Sequence, residues 1–565
     1  MNFNQTIVLT KAPLPASYPS PPRIEASAGE QRECPPSLRY PRPDSSRGEG
    51  TGPARSAGWQ PAVSPTGSRQ RVPSCERLRI ANPRYSRLPV CATRPVARYF
   101  TLALGGAVAL FAGCAVGPNY SRPAVTTPTT WKEAAATTNA PVLPQEWWTI
   151  FNDPDLNALE LQAVAANQDL KRAVARVTEA RAIARVSKSE LYPSVSADSA
   201  YSRDRYSENR DIPAVKRETD DFSASFDWSY ELDVWGRVRR SIEAATADLA
   251  ATETDLQVVL LTLTADVARN YQSLRSLDNE RVVIEATIAL RKDELQLQET
   301  RNQAGLINEV DVTRARTELA TVEAELHAVL RRCAQTEHAL AVLCGQAPAN
   351  FSVAPKVTSI VPPEIPAGLP SELLQRRPDL VAAEHNLEAA NARIGVAKAA
   401  FFPTIKLTGA AGFASADLGS LVDWPSRFAS FGPSISVPVF QGGRNVANLK
   451  AAEARYEQNI ATYRGAVLNA FREVEDSLSD LSTLAAQAEA VNRALVSARD
   501  TAALANERYQ RGLSSYLEVV DAQRAALQAE RQDTQLRGQR AVSTILLAKA
   551  LGGGWENQAP RIAVK

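Results

Sequence analysis

Apolar side chains recur with helical spacing over two unusually long stretches of the chain. Between Leu249 and Leu277 they follow one another in steps of three, four or seven residues, and the same spacing returns between 446 and 481. This periodicity predicts an amphipathic helix with one apolar seam in each stretch. The first helix, with no proline from 237 to about residue 300, would be about 90 Å long.

Each long run ends in a similar sharp turn. Gly512 and Gly305 lie in these turns, where a glycine can adopt the left-handed conformation that ends a helix. Helical spacing resumes after both turns. Arg301 and Arg508 differ by 207 in number, as do the two glycines, so the turns are copies of one unit. The pattern predicts two helical hairpins with their tips at these glycines.

Four shorter segments alternate between apolar and polar residues, which predicts β-strands. They span about 194–203, 222–233, 404–414 and 428–440. In the second segment, aromatic residues from Phe222 to Tyr230 alternate with serine and acidic residues. Such a strand could belong to a soluble sandwich, with one face exposed to solvent. It could equally belong to a transmembrane barrel, with lipid outside and water inside. This strand alone favours the soluble interpretation.

The order helix, strand, strand, long helix, tip, helix occurs twice, which indicates duplication. The first copy covers 151–345, with its first helix at about 153–190, and the second covers 371–552. A proline-rich linker, 346–370, separates them, and a tail follows from 553 to 565. The predicted fold is mainly α with a small β part. Because a sheet that spans lipid must close, four strands require more copies, and three copies would supply twelve strands.

The N-terminal region predicts export of the protein. Residues 1–93 are rich in proline, serine and arginine, and they are either a disordered tail or an untranslated extension. Residues 94–113 read as a signal peptide, which ends at Cys114 after small residues. This end resembles a bacterial lipobox, although Phe111 replaces the usual leucine; the alternative is an ordinary signal peptide with a chance cysteine. Residues 114–150 are predicted to be extended, with Trp147 and Trp148 anchoring them to the body.

The composition gives little support to other functions. The net charge is +2, which suggests no nucleic-acid partner. The six cysteines have no metal-ligand spacing, and His327 and His338 lack further ligands, so no metal site is predicted. Cys333 and Cys344 are too far apart on one helix to bridge and are predicted to pack in the interior. No sequence motif of an enzyme is present, so neither catalysis nor a cofactor is expected, apart from a covalent lipid on Cys114.

Several motifs together resemble the TolC-like outer-membrane channels, most closely the lipoproteins of the OprM and NodT type. The resemblance extends over about 114–555. The matching segments are Cys114-Ala115-Val116-Gly117-Pro118-Asn119-Tyr120, Trp147-Trp148 with Phe151-Asn152-Asp153-Pro154, Arg376-Arg377-Pro378-Asp379-Leu380, Phe401-Phe402-Pro403-Thr404, Pro438-Val439-Phe440-Gln441-Gly442-Gly443-Arg444 and the second tip.

The resemblance implies a homotrimer in the Gram-negative outer membrane. Its twelve strands would form a transmembrane barrel that continues into an α-helical tunnel through the periplasm. A lipid on Cys114 would anchor it, and a periplasmic adaptor and an inner-membrane pump, of RND type, would deliver small molecules. Two alternatives are an outlet for peptide or protein secretion and a periplasmic coiled-coil scaffold. A scaffold would require neither a lipoprotein signal nor four strands of alternating polarity.

The resemblance also implies a gate at the second tip. Glu518 and Asp521 match acidic ring positions, and Tyr509 matches a tyrosine that bonds between neighbouring helices. Ser514 stands where some members carry a gate arginine. Three copies would place six carboxylates around the opening and favour cations; the alternative is a solvated acidic helix face. The first tip has Arg314 in place of Asp521 and is therefore expected to serve in packing and adaptor docking.

Overall fold

The computed structural model describes residues 115–133, 143–207, 209, 218–368 and 370–555. The predicted extension, the signal peptide and Cys114 lie outside these residues. The helices are α1 (Pro154–Ala166), α2 (Gln168–Ser189), α3 (Arg237–Gln303), α4 (Glu309–Leu343), α5 (Leu373–Arg376), α6 (Pro378–Ala399), α7 (Arg444–Gln510) and α8 (Tyr516–Ala550). The strands are β1 (Ser194–Arg205), β2 (Glu218–Leu232), β3 (Thr404–Ser415) and β4 (Arg427–Ser436).

The two halves of the chain have equivalent helices. Helices α3 and α7 begin at 237 and 444 and end at 303 and 510, so both bounds differ by 207. The bounds of α4 and α8 differ by the same number, and those of α2 and α6 differ by 210. The duplicated order of elements that the sequence predicts is therefore present, and residues of one half can be matched to counterparts in the other by number.

The predicted helix over 153–190 is wrong in one respect, because it is divided at Asn167. The backbone there is extended, with a ψ of 133°. The Asn167 side chain accepts a hydrogen bond from the Leu170 amide at 2.9 Å and donates one to the Leu343 carbonyl at 2.9 Å. It thus starts a new helix as an N-cap residue and ties the break to the end of α4.

Three further boundaries differ from the prediction. Strand β2 begins at Glu218 rather than at about 222. Strand β4 ends at Ser436 rather than at about 440, because Ser436 pairs with Thr404, the first residue of β3, and no partner residue follows. The body also continues past 552, where a tail was expected. Gly552 and Gly553 are buried, and side chains there would collide with Arg376 and Leu261.

The four strands form one antiparallel sheet in the order β1-β2-β3-β4. Its register collects apolar residues on one face: Phe226 lies opposite Ala197 and Ala411, and Trp228 lies opposite Val195 and Gly409. Serine and aspartate side chains of β1 and β2 occupy the other face. Strands β1 and β4 are the edges of this sheet.

The helices are arranged in the same order as the strands that they flank. Below the sheet, α2 packs on α3, α3 on α6, and α6 on α7. Towards the tips, α3 packs on α4 and α8, and α8 packs on α7. The main core lies midway along the helices, where Trp147 and Leu156 meet Val267, Tyr271 and the buried Cys344. The tryptophan anchor that the sequence predicts is confirmed, since Trp147 is only 1% exposed.

Candidate functional site

The apolar face of the sheet is exposed. Phe226, Phe431 and Ile435 lie on this face and are 65–74% accessible. In a soluble sandwich a second layer would cover them, and none of the described elements does so. An uncovered aromatic face of this extent indicates an interaction with lipid or with another molecule. The structure therefore favours the membrane interpretation of β2 over the soluble one.

The junction between sheet and helices is built by Trp235 and its neighbours. The Trp235 ring stacks on Phe402 at 4.7 Å, and its indole nitrogen donates a hydrogen bond to the Pro403 carbonyl at 2.8 Å. The Val116 amide donates to the Trp235 carbonyl at 3.0 Å. The first described residues of the chain are thus fixed at the level where β2 ends and α3 begins.

Both tip turns have the predicted conformation. Gly305 has a φ of +69° and Gly512 a φ of +71°. In each turn the residue after the glycine donates its amide to a carbonyl five residues back, Leu306 to Arg301 and Leu513 to Arg508, both at 2.9 Å. This is the bonding of a Schellman motif, which a glycine permits without strain.

Tyr509 joins the second hairpin to the first. Its hydroxyl donates a hydrogen bond to Gln298 Oε1 on α3 at 2.9 Å. The Arg301 guanidinium lies 5.1 Å from the centre of the Tyr509 ring, and the Tyr516 ring lies 5.7 Å away. The helix-to-helix bonding expected of Tyr509 is therefore present within one chain. Sequence reasoning missed Gln298 and Tyr516, which carry no local signal of this contact.

The two acidic residues of the second tip have different environments. Both are exposed. Asp521 forms an ion pair with Arg524 at 3.5 Å, whereas no described residue forms an ion pair with Glu518. At the first tip, Asp311 is paired with Arg314 at 3.4 Å. Glu518 is thus the less compensated acidic position, a difference that the i, i+3 spacing of Asp521 and Arg524 could have indicated.

A row of buried polar groups lies between α8 and the first hairpin. Glu280, almost fully buried, accepts hydrogen bonds from Arg332, Arg531 and Gln535 at 2.9–3.2 Å. Nearer the tip, Arg291 and Glu294 bond to Gln523, and Glu318 pairs with Arg524. These contacts, which we call the α3–α8 seam, were not predicted. Apart from Arg332 and Glu280, which are 52 residues apart, their partners are more than 200 residues apart.

Among the described residues, no group of three or more histidine, cysteine, aspartate or glutamate side chains is placed to hold a metal ion. Within the same ranges, no helix combines the length and apolarity needed to cross a membrane. Cys333 and Cys344 are both free thiols, and burial raises the pKa of Cys344 to about 11. Both pack against apolar clusters, as predicted, with Cys344 fully buried and Cys333 partly buried.

The sequence matches the family model described as outer membrane efflux protein over residues 160–346 and 369–553. The chain belongs to the outer membrane efflux protein family. The predicted resemblance to TolC-like channels is therefore confirmed. Members of this family are efflux channels, and this agrees with the expectation that the protein is not an enzyme.

Individual members of the outer membrane efflux protein family match along most of their length. Outer membrane protein OprJ of Pseudomonas aeruginosa is 34% identical, over 78% of this chain and 93% of that protein. Cation efflux system protein CusC of Escherichia coli is 34% identical, over 79% and 96%. The solved structure of the Campylobacter jejuni CmeC outer membrane channel superimposes with a TM-score of 0.75 at 25% identity, over 79% of this chain and 96% of that one.

Proposed function

We propose that this protein is the outlet channel of a tripartite efflux system and passes small molecules out through a trimeric tunnel gated at its tip. A periplasmic adaptor and an inner-membrane pump of RND type would supply it. One observation carries the proposal: a sheet with an exposed apolar face continues directly into two helices of 67 residues each. Such helices extend about 100 Å, enough to connect an outer-membrane sheet with partners deep in the periplasm.

The order of the elements supports a ring of several copies. The strands are ordered β1-β2-β3-β4 and the helices α2-α3-α6-α7. One open side of the chain is therefore formed by β1 and α2, and the other by β4 and α7. A chain with two different open sides associates head to tail, and a ring forms when the rotation closes. Three copies of four strands give twelve, an even number within the range of bacterial barrels.

Helix α2 supports the same arrangement. Its counterpart α6 lies between α3 and α7 and contains twelve buried residues, whereas α2 packs on α3 alone and contains three. Val174, Ile183 and Val186 on α2 are 50–67% exposed. A ring would place α7 of a neighbouring copy against this bare side of α2, and would pair β1 with β4 of that copy.

The position of Ala115 supports a lipid anchor on Cys114. A Cβ added at Gly236 would lie 2.9 Å from Ala115, next to the junction of β2 and α3. An acylated residue at 114 would therefore enter the membrane beside the end of the sheet. The identity of the transported molecules would be determined by the pump, since relatives of similar identity are named for cations, solvents and antibiotics.

A Gram-negative strain that retains an adaptor and an RND pump but lacks its own outlet channel tests the proposal. The full-length chain should restore resistance to substrates of that pump, fractionate with the outer membrane, and have the native mass of three copies in detergent. Palmitate labelling should be lost in Cys114→Ala and retained in the buried-thiol control Cys344→Ala. Extraction as a soluble species without detergent would support a periplasmic scaffold instead.

A further inference from the structure

A groove crosses the apolar face of the sheet and ends at a cation. Its volume is about 550 Å³, within the range of about 300–1,000 Å³ that is typical of small-molecule sites. The strand register places two rows of residues along it: Ser199, Ala224, Phe413 and Arg427 in one row, and Ala197, Phe226 and Ala411 in the other. We call it the β1–β4 groove. It extends over three inter-strand spacings, about 14 Å.

Larger side chains border the groove on the same face. The ring of Tyr201 stacks on Phe222 at 4.7 Å beyond one row, and the rings of Trp228 and Phe431 lie 5.8 Å apart beyond the other. The alanine and serine side chains between these aromatic pairs leave the depression. Because the surface is apolar and no described element covers it, hydrocarbon fills such a groove at a lower free-energy cost than water.

Arg427 lies at an unusual place for a face that meets lipid. It is the first residue of β4 and pairs with Phe413, so its side chain lies on the apolar face. From Arg427 to Ile435, the last residue of β4 on this face, the distance is about 27 Å along the strand and about 20 Å across a membrane once the tilt of a barrel strand is included. An apolar band is about 25 Å tall. Arg427 therefore lies near one boundary of the band, at the opposite end of the sheet from the junction at Trp235.

The charge of Arg427 is not compensated within the described part of the chain. Its guanidinium lies 3.2 Å from the centre of the Trp424 ring, and no described residue forms an ion pair with it. By contrast, Arg203 on the same face of the sheet pairs with Glu218 at 3.4 Å and with Asp220 at 3.8 Å. A contact with the face of a ring leaves the N–H donors of a guanidinium available, and phosphate is the anion that matches their fork geometry.

The connection between β3 and β4 also suits a membrane surface. Leu418, Val422 and Trp424 lie in this connection and are 62–76% exposed. Tryptophan is enriched where lipid headgroups meet hydrocarbon, and long cationic side chains at the edge of the hydrocarbon reach the same level. Arg427 beside Trp424 therefore places its cation at the depth of the lipid phosphates.

We propose that the β1–β4 groove binds a phosphorylated lipid of the outer leaflet, whose phosphate contacts Arg427 and whose acyl chain lies in the groove. The inference rests on the proposed function, since it requires the sheet to span the outer membrane. The long helices then extend into the periplasm, and the end of the sheet with Arg427 faces the outer leaflet. The uncompensated cation and the apolar groove beside it match the two parts of such a lipid.

Native mass spectrometry of the full-length protein in a non-ionic detergent tests the cation. The probe is lipid A, a phosphorylated glycolipid, compared with the same lipid after removal of its phosphates. Arg427→Ala should weaken the binding of lipid A about tenfold or more and leave the binding of the dephosphorylated lipid unchanged. Arg203→Ala is the matched control, because carboxylates already compensate that cation, and it should bind lipid A like the wild type.

A second pair of variants tests the groove. Ala411→Phe places a ring in the groove and should weaken the binding of both lipids, since both carry the acyl chains. Val195→Phe enlarges a side chain on the same face but outside the groove, so it should leave the binding of both lipids unchanged. Equal effects of Ala411→Phe and Val195→Phe would overturn the placement of the acyl chain.

Two results would overturn the phosphate contact. One is equal affinity of the wild type for the two lipids, and the other is an equal loss of affinity in Arg427→Ala and Arg203→Ala. Both would leave the proposed function intact in a protein that restores resistance and has the native mass of three copies. A protein that does neither, and does not fractionate with the outer membrane, would contradict the proposed function and this site with it.

Discussion

The hydroxyl of Tyr509 donates a 2.9 Å hydrogen bond to Gln298. This bond ties the end of α7 to the end of α3, just before the tip turn of each hairpin. Gln298 is 1% exposed, so water does not compete for its carbonyl oxygen. A hydrogen bond of this kind contributes about 0.5–1.5 kcal/mol. The closed arrangement of the two hairpins therefore depends measurably on one phenolic oxygen.

Tyr509→Phe should increase the spontaneous opening of the channel in planar bilayers. The substitution keeps the ring beside Arg301 and removes only the bond to Gln298, so the expected gain in open probability is up to about tenfold, equivalent to about 1.4 kcal/mol. Tyr516→Phe is the matched control, because the Tyr516 hydroxyl is buried and has no hydrogen-bond partner among the described residues. An equal effect of the two variants would contradict the role of the Tyr509 bond.

Glu518→Gln should reduce cation selectivity more than Asp521→Asn. Arg524 compensates Asp521 at 3.5 Å, whereas no described residue forms an ion pair with Glu518, so Glu518 contributes more to the potential at a narrow opening. Reversal potentials in a salt gradient measure the effect. Asp311→Asn at the first tip, where Arg314 already compensates the charge, should leave the selectivity unchanged. Unchanged selectivity in Glu518→Gln with Asp521→Asn combined would refute a selective constriction at this tip.

Gly538→Ala should lower the thermal stability of the protein in detergent. The added methyl group would overlap with Ser276, and overpacking of this kind typically costs about 1–3 kcal/mol. Ser276→Gly should restore much of the loss by making room across the same contact. Gly465→Ala is the control in a helix with no atoms near the new methyl group, and it should stabilise by up to about 1 kcal/mol. A loss that Ser276→Gly fails to relieve would place the cause elsewhere.

Much of this architecture was predictable because its signals are local. The seam from Leu249 to Leu277 recurs every three or four residues, and the glycines at 305 and 512 stop the helices close to where they were expected to stop. The alternation around Trp228 likewise identified β2. The break at Asn167 was missed because the apolar spacing continues across it, although asparagine is itself a common N-cap residue.

The partners across the α3–α8 seam could not be predicted in this way. Glu280 and Arg531 are 251 residues apart, and neither lies in a local pattern that marks it as buried. Charged residues on a long helix normally face solvent, so their burial follows only from how the two hairpins pack. The repeat offset of 207 was visible in the sequence. It relates equivalent positions of the two halves, but it does not show which residues meet across the α3–α8 seam.

Glu160 on α1 should make the protein less stable as the pH rises. The side chain is fully buried, its carboxyl oxygens have no hydrogen-bond partner among the described residues, and burial raises the pKa of Glu160 to about 9. Above a pH of about 4.5 the unfolded chain releases this proton while the folded chain keeps it, so stability falls between that pH and about 9. Glu160→Gln is neutral throughout and should flatten the decline in Tm between pH 5.5 and 8.5. Glu179→Gln, at an exposed position on α2, should retain the wild-type slope. Parallel slopes for Glu160→Gln and the wild type would show that this carboxyl is already ionised in the folded protein.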